Sequence, residues 1–446
     1  MRNRTIAGFV AVLLVFALIC GCNGKPETKT ETRRESGDLV IAAYGDTRTK
    51  WWPFDKQETH YQIAKEISKS KPDAVLFTGD MVVFNLQDIP KVKITKEWDQ
   101  YYGVVGEFFA TKEEMKKPLF YPALGNHELL TWRWLIGILD ADMLKQMLTP
   151  DMLKQMLTPD MLREVLEGKK TLSEVVALTM GDLSKIKPDG LSENNRDVLK
   201  NMVVNNMNEL YQRFNTDLSA EKRKDVSWSV MESRIFPKHP YLKDIVNTEK
   251  KESWYYFDKK AGKQNVRFVC LNSNARGSEE QLEWFKKTCE GFDGPIIVFA
   301  HHPIYSVGEH AGEKFTIDYR NEYEEPVSKY ATLYICGHEH NYQRFSETDP
   351  KEGPLEGPVF IVTGGGGAPI RDNKESENEE GQFYPDGWDF KMQQEFNYVK
   401  VIFNETESGL TINVRAYGWK GKEKPEGESR LIESFDILWE KDSEEE

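Results

Sequence analysis

Several short apolar runs in this chain stop on side chains that can bind metal. Gly337-His338-Glu339-His340-Asn341-Tyr342-Gln343-Arg344 follows Leu333-Tyr334-Ile335 and offers imidazoles at positions i and i+2. A turn opened by Gly337 lets the backbone bend sharply, so His338 and His340 can each face a separate ion lying close to the other. The other runs deliver Gly45-Asp46-Thr47-Arg48, Gly79-Asp80, Gly125-Asn126-His127-Glu128 and His301-His302-Pro303. Carboxylate, amide oxygen and imidazole together suit divalent or trivalent first-row metals, and the absence of cysteine among them argues against a structural zinc. Asp46, Asp80, Asn126, His301, His338 and His340 exceed what one tetrahedral ion needs, and they suit two ions sharing one carboxylate.

Buried strands must carry these residues. Leu39-Val40-Ile41-Ala42-Ala43 and Ala74-Val75-Leu76-Phe77 read as such strands, with helical spacing at Tyr61, Ala64 and Ile67 between them, an order that implies a parallel pair. An amphipathic stretch from Trp98 to Met115 leads to Leu119-Phe120-Tyr121. Further on, Trp254 to Phe257 and Val266 to Leu271 form a hairpin, and a helix over Glu279–Lys287 precedes Ile296 to Ala300. Val359 to Val362 ends on Thr363 and the glycines Gly364 to Gly367, which are either a flexible turn or a place where backbone approaches a phosphate. From Tyr398 to Leu438 the residues alternate like antiparallel strands. In an open sheet ligands collect beyond the C-terminal strand ends, and all six candidates stand there. His60 and His239 lie in polar surroundings and are read as surface residues, while His302 shapes the turn with Pro303.

At 446 residues, with 39% hydrophobic and 30% charged residues, the chain has ordinary globular composition. Its formal net charge of -14 argues against nucleic acid as a general partner. Arg2 and Arg4 precede the apolar run Ile6 to Ile19, which has the length of an export signal and is short for a membrane span. That run closes on Ile19-Cys20-Gly21-Cys22, which resembles a bacterial lipobox with Cys22 as the lipidated residue; a plain secretory signal is the alternative. Residues 1–21 are therefore read as a lipoprotein signal peptide and 22–37 as a solvated tether, giving an exported protein held at a membrane. The main domain spans 38–440, interrupted by a helical insertion at 131–250, and 441–446 is an acidic tail. Within the insertion, Asp142 to Pro150 is repeated identically as Asp151 to Pro159, either as a cap over the site or as a duplication without a role. Cys270, Cys289 and Cys336 match no zinc knuckle; an oxidising compartment permits one disulfide among them, but Cys270 and Cys336 lie in apolar runs, which favours buried, inert thiols.

The five motifs, in this order, resemble those of a calcineurin-like metallophosphoesterase. Pro303-Ile304-Tyr305 and His340-Asn341-Tyr342-Gln343-Arg344 are similar to the purple acid phosphatase branch. The resemblance implies an α/β fold, a four-layer α/β/β/α sandwich of two mixed sheets with a dinuclear site at its edge. Asp80 would bridge two ions of manganese, zinc or iron, with Asp46 and His340 completing one site and Asn126, His301 and His338 the other. Two cations roughly 3.5 to 4 Å apart can hold a hydroxide between them and accept phosphoryl oxygens. The expected activity is hydrolysis of a small phosphomonoester, with a phosphodiesterase or a decayed binding scaffold as alternatives. His127 is the first candidate to protonate the leaving alkoxide and His310 the second.

Two positions depart from the family pattern: Arg48 stands where one branch has a histidine, and Val83 where the other has a tyrosine. Solvent fills the missing ligand position, or Arg48 binds substrate phosphate with paired N–H groups. Tyr342 and Arg344 either orient the histidines through packing or, in the case of Arg344, touch substrate.

Overall fold

The computed structural model describes residues 38–48, 57–82, 95–109, 119–129, 219–355, 357–371 and 383–441. The leader, the tether with Cys22, Val83, the repeat, most of the insertion and all of the acidic tail except Lys441 lie outside the described residues. What is described of the insertion is helical, beginning at Ala220.

Strand β1 (Leu39–Tyr44) and strand β2 (Ala74–Phe77) pair in parallel, Ile41 opposite Ala74 and Tyr44 opposite Phe77. Helix α1 (Glu58–Lys69) joins them, and helix α2 (Thr95–Phe109) precedes β3 (Phe120–Pro122), which is parallel to β2. A four-residue helix, α3 (Asn126–Leu129), follows, and α4 (Ala220–Val230) opens the next described segment, capped by the Ser219 side chain on the Lys222 N–H.

The hairpin appears as β4 (Tyr255–Ala261) and β5 (Gln264–Cys270). Helix α5 (Glu279–Cys289) starts at Ser278, whose hydroxyl accepts from Gln281 N–H, with Glu279 and Glu280 in its first turn and Lys286 and Lys287 in its last. Those charges complement the helix dipole. Strand β6 (Ile296–Phe299), helix α6 (Lys314–Tyr330), β7 (Leu333–Cys336), β8 (Tyr342–Ser346), β9 (Val359–Thr363) and β10 (Asp389–Gln393) complete the second sheet. Its order is β10-β8-β9-β7-β6-β5-β4. The chain then returns to the first sheet through antiparallel β11 (Phe396–Glu405), β12 (Gly409–Lys420) and β13 (Glu426–Glu440), giving the order β13-β12-β11-β1-β2-β3.

Side-chain alternation along the strands shows the layers. On β6, Ile297 and Phe299 join the core shared with β1, β2 and β11, whereas Ile296 and Val298 join the core beneath Phe285 of α5 and Tyr319 and Tyr323 of α6. The sheets face one another: Tyr121 of β3 stacks on Phe257 of β4, and Phe268 of β5 meets Phe403 of β11 at 6.2 Å. On the far side of the first sheet, Tyr44 contacts His60 of α1 and Phe109 of α2. The architecture is therefore α/β/β/α with two mixed sheets, as expected. Each fully buried Ile or Phe of this kind contributes roughly 1.5–3 kcal/mol relative to exposure, which is why the strands read as unbroken apolar runs.

Three details of the sequence reading are corrected. The buried stripe of α1 is His60, Ile63, Ala64 and Ile67, and Tyr61 is 38% exposed. His60 is buried because its ring is satisfied there: Nε2 lies 2.9 Å from Tyr44 Oη, Nδ1 2.6 Å from Gln57 Oε1, and the ring stacks on Tyr101. His239 is buried too, stacked on Phe120. Cys270 and Cys336 are buried free thiols as expected, and Cys289 is one as well, its thiol pushed up to about 12 by burial. No helix among the described residues is long and apolar enough to cross a membrane.

Candidate metal centre

The C-terminal ends of the parallel strands from both sheets meet at one place. Asp46 N–H donates to Gly79 O at 2.8 Å and Arg48 N–H to Asp80 O at 3.2 Å, tying the turns after β1 and β2 together. Across the sandwich, the backbone N–H of His338 donates to the Asp46 carboxylate at 3.0 Å. Three candidate ligands sit in the left-handed backbone region: Asp46 at φ 57°, Asp80 at φ 59° and His338 at φ 71°. Non-glycine residues adopt it rarely, so the surrounding structure holds these turns in strained conformations. Close approach also demands glycine at two neighbours, since a Cβ on Gly337 would strike Asp46 Oδ2 and one on Gly125 would strike Asp80 Oδ1.

The imidazoles are oriented by main-chain carbonyls. His301 Nδ1 donates to Thr78 O at 2.7 Å, which leaves its Nε2 as a lone pair. That lone pair faces Asn126 Oδ1 at 2.8 Å and Asp80 Oδ1 at 3.3 Å, with His338 Nδ1 at 3.2 Å. His340 Nδ1 donates to Pro369 O at 2.9 Å, so its Nε2 turns toward Asp46 Oδ1 at 3.8 Å. Acceptors facing acceptors in a buried site repel unless a cation lies between them, and this donor set is one that binds first-row metals. The ligand atoms of Asp46, Asp80 and His301 all lie within 4.8 Å of one another. The residues therefore fit a metal centre.

The chain matches the calcineurin-like phosphoesterase family model over residues 39–342. It belongs to that family. The phosphoesterase is 31% identical over 110 residues to a protein named probable purple acid phosphatase 20 of Arabidopsis thaliana, a match covering 23% of this chain and 26% of that relative. Thus only about a quarter of the relative is spanned, and it comes from the branch that the residues around His340 resemble. Among solved structures, the purple acid phosphatase PPD1 from yellow lupin covers 90% of this chain and 53% of its own at 15% identity and a TM-score of 0.47. GAP50, titled the anchor in the inner membrane complex of Plasmodium, covers 90% of both chains at 11% identity and a TM-score of 0.45.

Burial sets the protonation of these candidate ligands. The Asp46 carboxyl is pushed well up by burial and by the charge of Asp80, against the opposing His338 N–H and Arg48. Burial works against the charge of Asp80 as well, but His127, His301 and Arg48 together hold it below the usual carboxylate range. Burial lowers His301, and lowers His338 and His340 further, so all three imidazoles are held neutral and ready to donate a lone pair.

His127 stands beside these ligands, its N–H on Asp80 Oδ1 at 3.1 Å and its Nε2 3.7 Å from Asp80 Oδ2. His310 packs its ring 4.6 Å from that of His338, with Nδ1 2.8 Å from Glu313 Oε1. His302 is held behind the site, its Nδ1 2.7 Å from Ser273 Oγ. Arg48 is buried within the ligand cluster, 3.3 Å from His340 Nε2.

Arg344, expected near substrate, is committed elsewhere. Its Nε lies 3.2 Å from Glu433 and its Nη2 2.5 Å from Asp389, and Tyr342 donates to the same Glu433 at 2.5 Å. Period-two alternation along β8 points Tyr342 and Arg344 to one face, toward β13, so both are packing residues.

Three features carry the site without having been read from the sequence. Glu128 accepts four backbone N–H groups of the ligand turns: Asp80 at 3.0 Å, Gly125 at 2.7 Å, Met81 at 2.6 Å and Val82 at 3.2 Å. Glu339 accepts from Ser306 Oγ and His310 N–H, anchoring the loop that holds His310. Arg371 lies just past the glycine run, paired with Glu309 at 3.3 Å and 24% exposed. The glycines themselves pack on protein: Gly366 N–H donates to Gly45 O and Ala368 N–H to Asp46 O. They serve close approach of backbone to the ligand turns. Acid-rich motifs point to Glu128; nothing in the local sequence points to Arg371.

Proposed function

We propose that this member of the family is a metal-dependent phosphoester hydrolase, a phosphomonoesterase acting on small phosphorylated substrates through a dinuclear centre. Asp46, Asp80 and His340 would hold one ion, and Asp80, Asn126, His301 and His338 the other. The observation that carries the reading is the set of acceptors turned on one another around Asp80, with His301 Nε2 2.8 Å from Asn126 Oδ1. Bound metals supply positive charge for the phosphoryl oxygens and a nucleophile near neutral pH.

The chain's own residues do the rest. Thr78 O and Pro369 O hold the His301 and His340 rings so that their lone pairs face inward. Arg371, partly exposed beside Glu309, anchors the phosphate end of the substrate as it enters. His127, 7% exposed beside Asp80, donates a proton from its imidazole to the leaving alkoxide. His310 is the second choice, because burial and the nearby arginines Arg371 and Arg48 push it well below the ordinary imidazole range. Export and lipidation at Cys22 belong to the same proposal and are supported by the sequence of the leader.

The test is turnover by the full chain loaded with manganese or zinc. Hydrolysis of an aryl phosphate monoester, much faster than of the matching diester, is the expected result. Preference for the diester would replace the monoesterase reading, and no turnover of either would overturn the proposal.

A further inference from the structure

Arg48 occupies the ground that the first of the two proposed ions needs. Its backbone N–H is pinned to Asp80 O at 3.2 Å, and its side chain is 5% exposed. From there Nη2 reaches the His340 Nε2 lone pair at 3.3 Å, and Nε lies 3.5 Å from Asp80 Oδ2. The guanidinium thus lies against two of the three groups of that site, His340 and Asp80, and the third, Asp46 Oδ1, is 3.8 Å from the same His340 nitrogen. In the second group the donors face one another instead, His301 Nε2 being 2.8 Å from Asn126 and 3.3 Å from Asp80.

We propose that Arg48 is a built-in cationic occupant of the first metal site, so that the two ions bind in sequence. The Asp80–Asn126–His301–His338 site fills first. The Asp46–Asp80–His340 site then fills only as the guanidinium is displaced. A divalent ion cannot share the His340 lone pair and the Asp80 carboxylate with a guanidinium this close to both, because like charges so close in a poorly screened setting repel strongly. The lone pair of His340 can serve one cation at a time. This inference rests on the dinuclear reading above and adds an order of loading and the residue that sets it.

The experiment is calorimetric titration of metal-stripped full-length protein with manganese. Wild type is expected to bind in two steps whose dissociation constants differ at least about tenfold, the repulsion of one buried charge being the cause. In Arg48→Ala the weaker step tightens about tenfold or more, and in Arg48→Lys, which keeps the charge, the steps stay apart. Arg48→Gln, also neutral and closer in size, stands in should the alanine variant fail to fold. Equal steps in wild type, or a weak step unmoved in the neutral variants, would overturn the inference while leaving the dinuclear centre intact. Failure of wild type to bind any manganese would overturn both.

Discussion

The buried Glu128 carboxylate of α3 accepts the backbone N–H of Asp80 at 3.0 Å and so holds the turn that carries the central candidate ligand. The same carboxylate takes the N–H groups of Gly125, Met81 and Val82, joining the turns after β2 and β3.

Glu128→Gln should therefore weaken metal binding without altering any ligand. A glutamine can accept with one oxygen and turns N–H donors toward N–H donors with its other end. Leaving two of four buried N–H groups unpaired costs on the order of 1–3 kcal/mol each. Loss of an orienting partner typically lowers metal affinity about 10–100-fold. Competition with a chelating dye measures it, and unchanged affinity would remove the clamp from the account.

Gly337→Ala tests the close approach of β7 to Asp46. A Cβ there would strike Asp46 Oδ2 and crowd Thr78 Oγ1. Something must shift, and the group met most closely is the Asp46 carboxylate itself. Metal content should fall, and activity should drop by about two orders of magnitude, as expected when a reacting centre moves by ~1 Å. Wild-type metal content in a folded variant would show that the turn has slack.

Apolar runs cut short by a metal-capable side chain made the candidate ligand turns readable in the sequence, because β1, β2, β6 and β7 are buried along their whole length and carry no charged residue until they leave the sheet. Helix phase was harder. His60 looks polar beside Glu58 and Thr59, yet Tyr44 and Gln57 satisfy both its nitrogens, and that partnership exists only in three dimensions. For Arg344 the sequence leaves packing and substrate contact both open for a related reason: it follows a ligand motif, but β8 turns it toward Glu433 on a strand far along the chain. Arg371 could not be found at all, since its nearness to the site depends on Ala368 N–H reaching Asp46 O.

Arg344→Gln should lower stability and leave the Michaelis constant alone. It removes one partner of Glu433, which is mostly buried and keeps Tyr342 and Lys391, and the partner of Asp389, which is 34% exposed and can be solvated. Breaking a wholly buried pair costs 3–5 kcal/mol, and the exposure of Asp389 brings the expectation down to about 1–3 kcal/mol. Denaturant melts give the stability and steady-state kinetics the rest. A raised Michaelis constant would return Arg344 to the substrate site.

Arg371→Ala should raise the Michaelis constant for a phosphomonoester about tenfold, the scale of one charge-assisted contact of ~1.4 kcal/mol, with little change in kcat. Inhibition by inorganic phosphate should weaken in parallel. Arg371→Lys should recover part of the loss, because a lysine keeps the charge without the paired N–H geometry. Kinetics identical to wild type would confine Arg371 to its contact with Glu309.

His60 makes stability pH-dependent in acid, independently of the metal ligands. Burial lowers its imidazole from 6.5 to about 3, and burial with neighbouring Lys238 lowers His239 to about 4. Both are folded-state values below the unfolded one, so the folded chain stays unprotonated while the unfolded chain gains protons. The contribution of these residues is thus present above about pH 6.5 and is lost as pH falls toward 4 and then 3. At 1.36 kcal/mol per pKa unit the loss is on the order of a few kcal/mol. Urea melts of wild type between pH 7.5 and 4.5 should show stability declining, and His60→Gln, which keeps a polar group between Tyr44 and Gln57, should show a shallower decline. Equal slopes in the two proteins would mean that the buried ring takes up its proton without penalty.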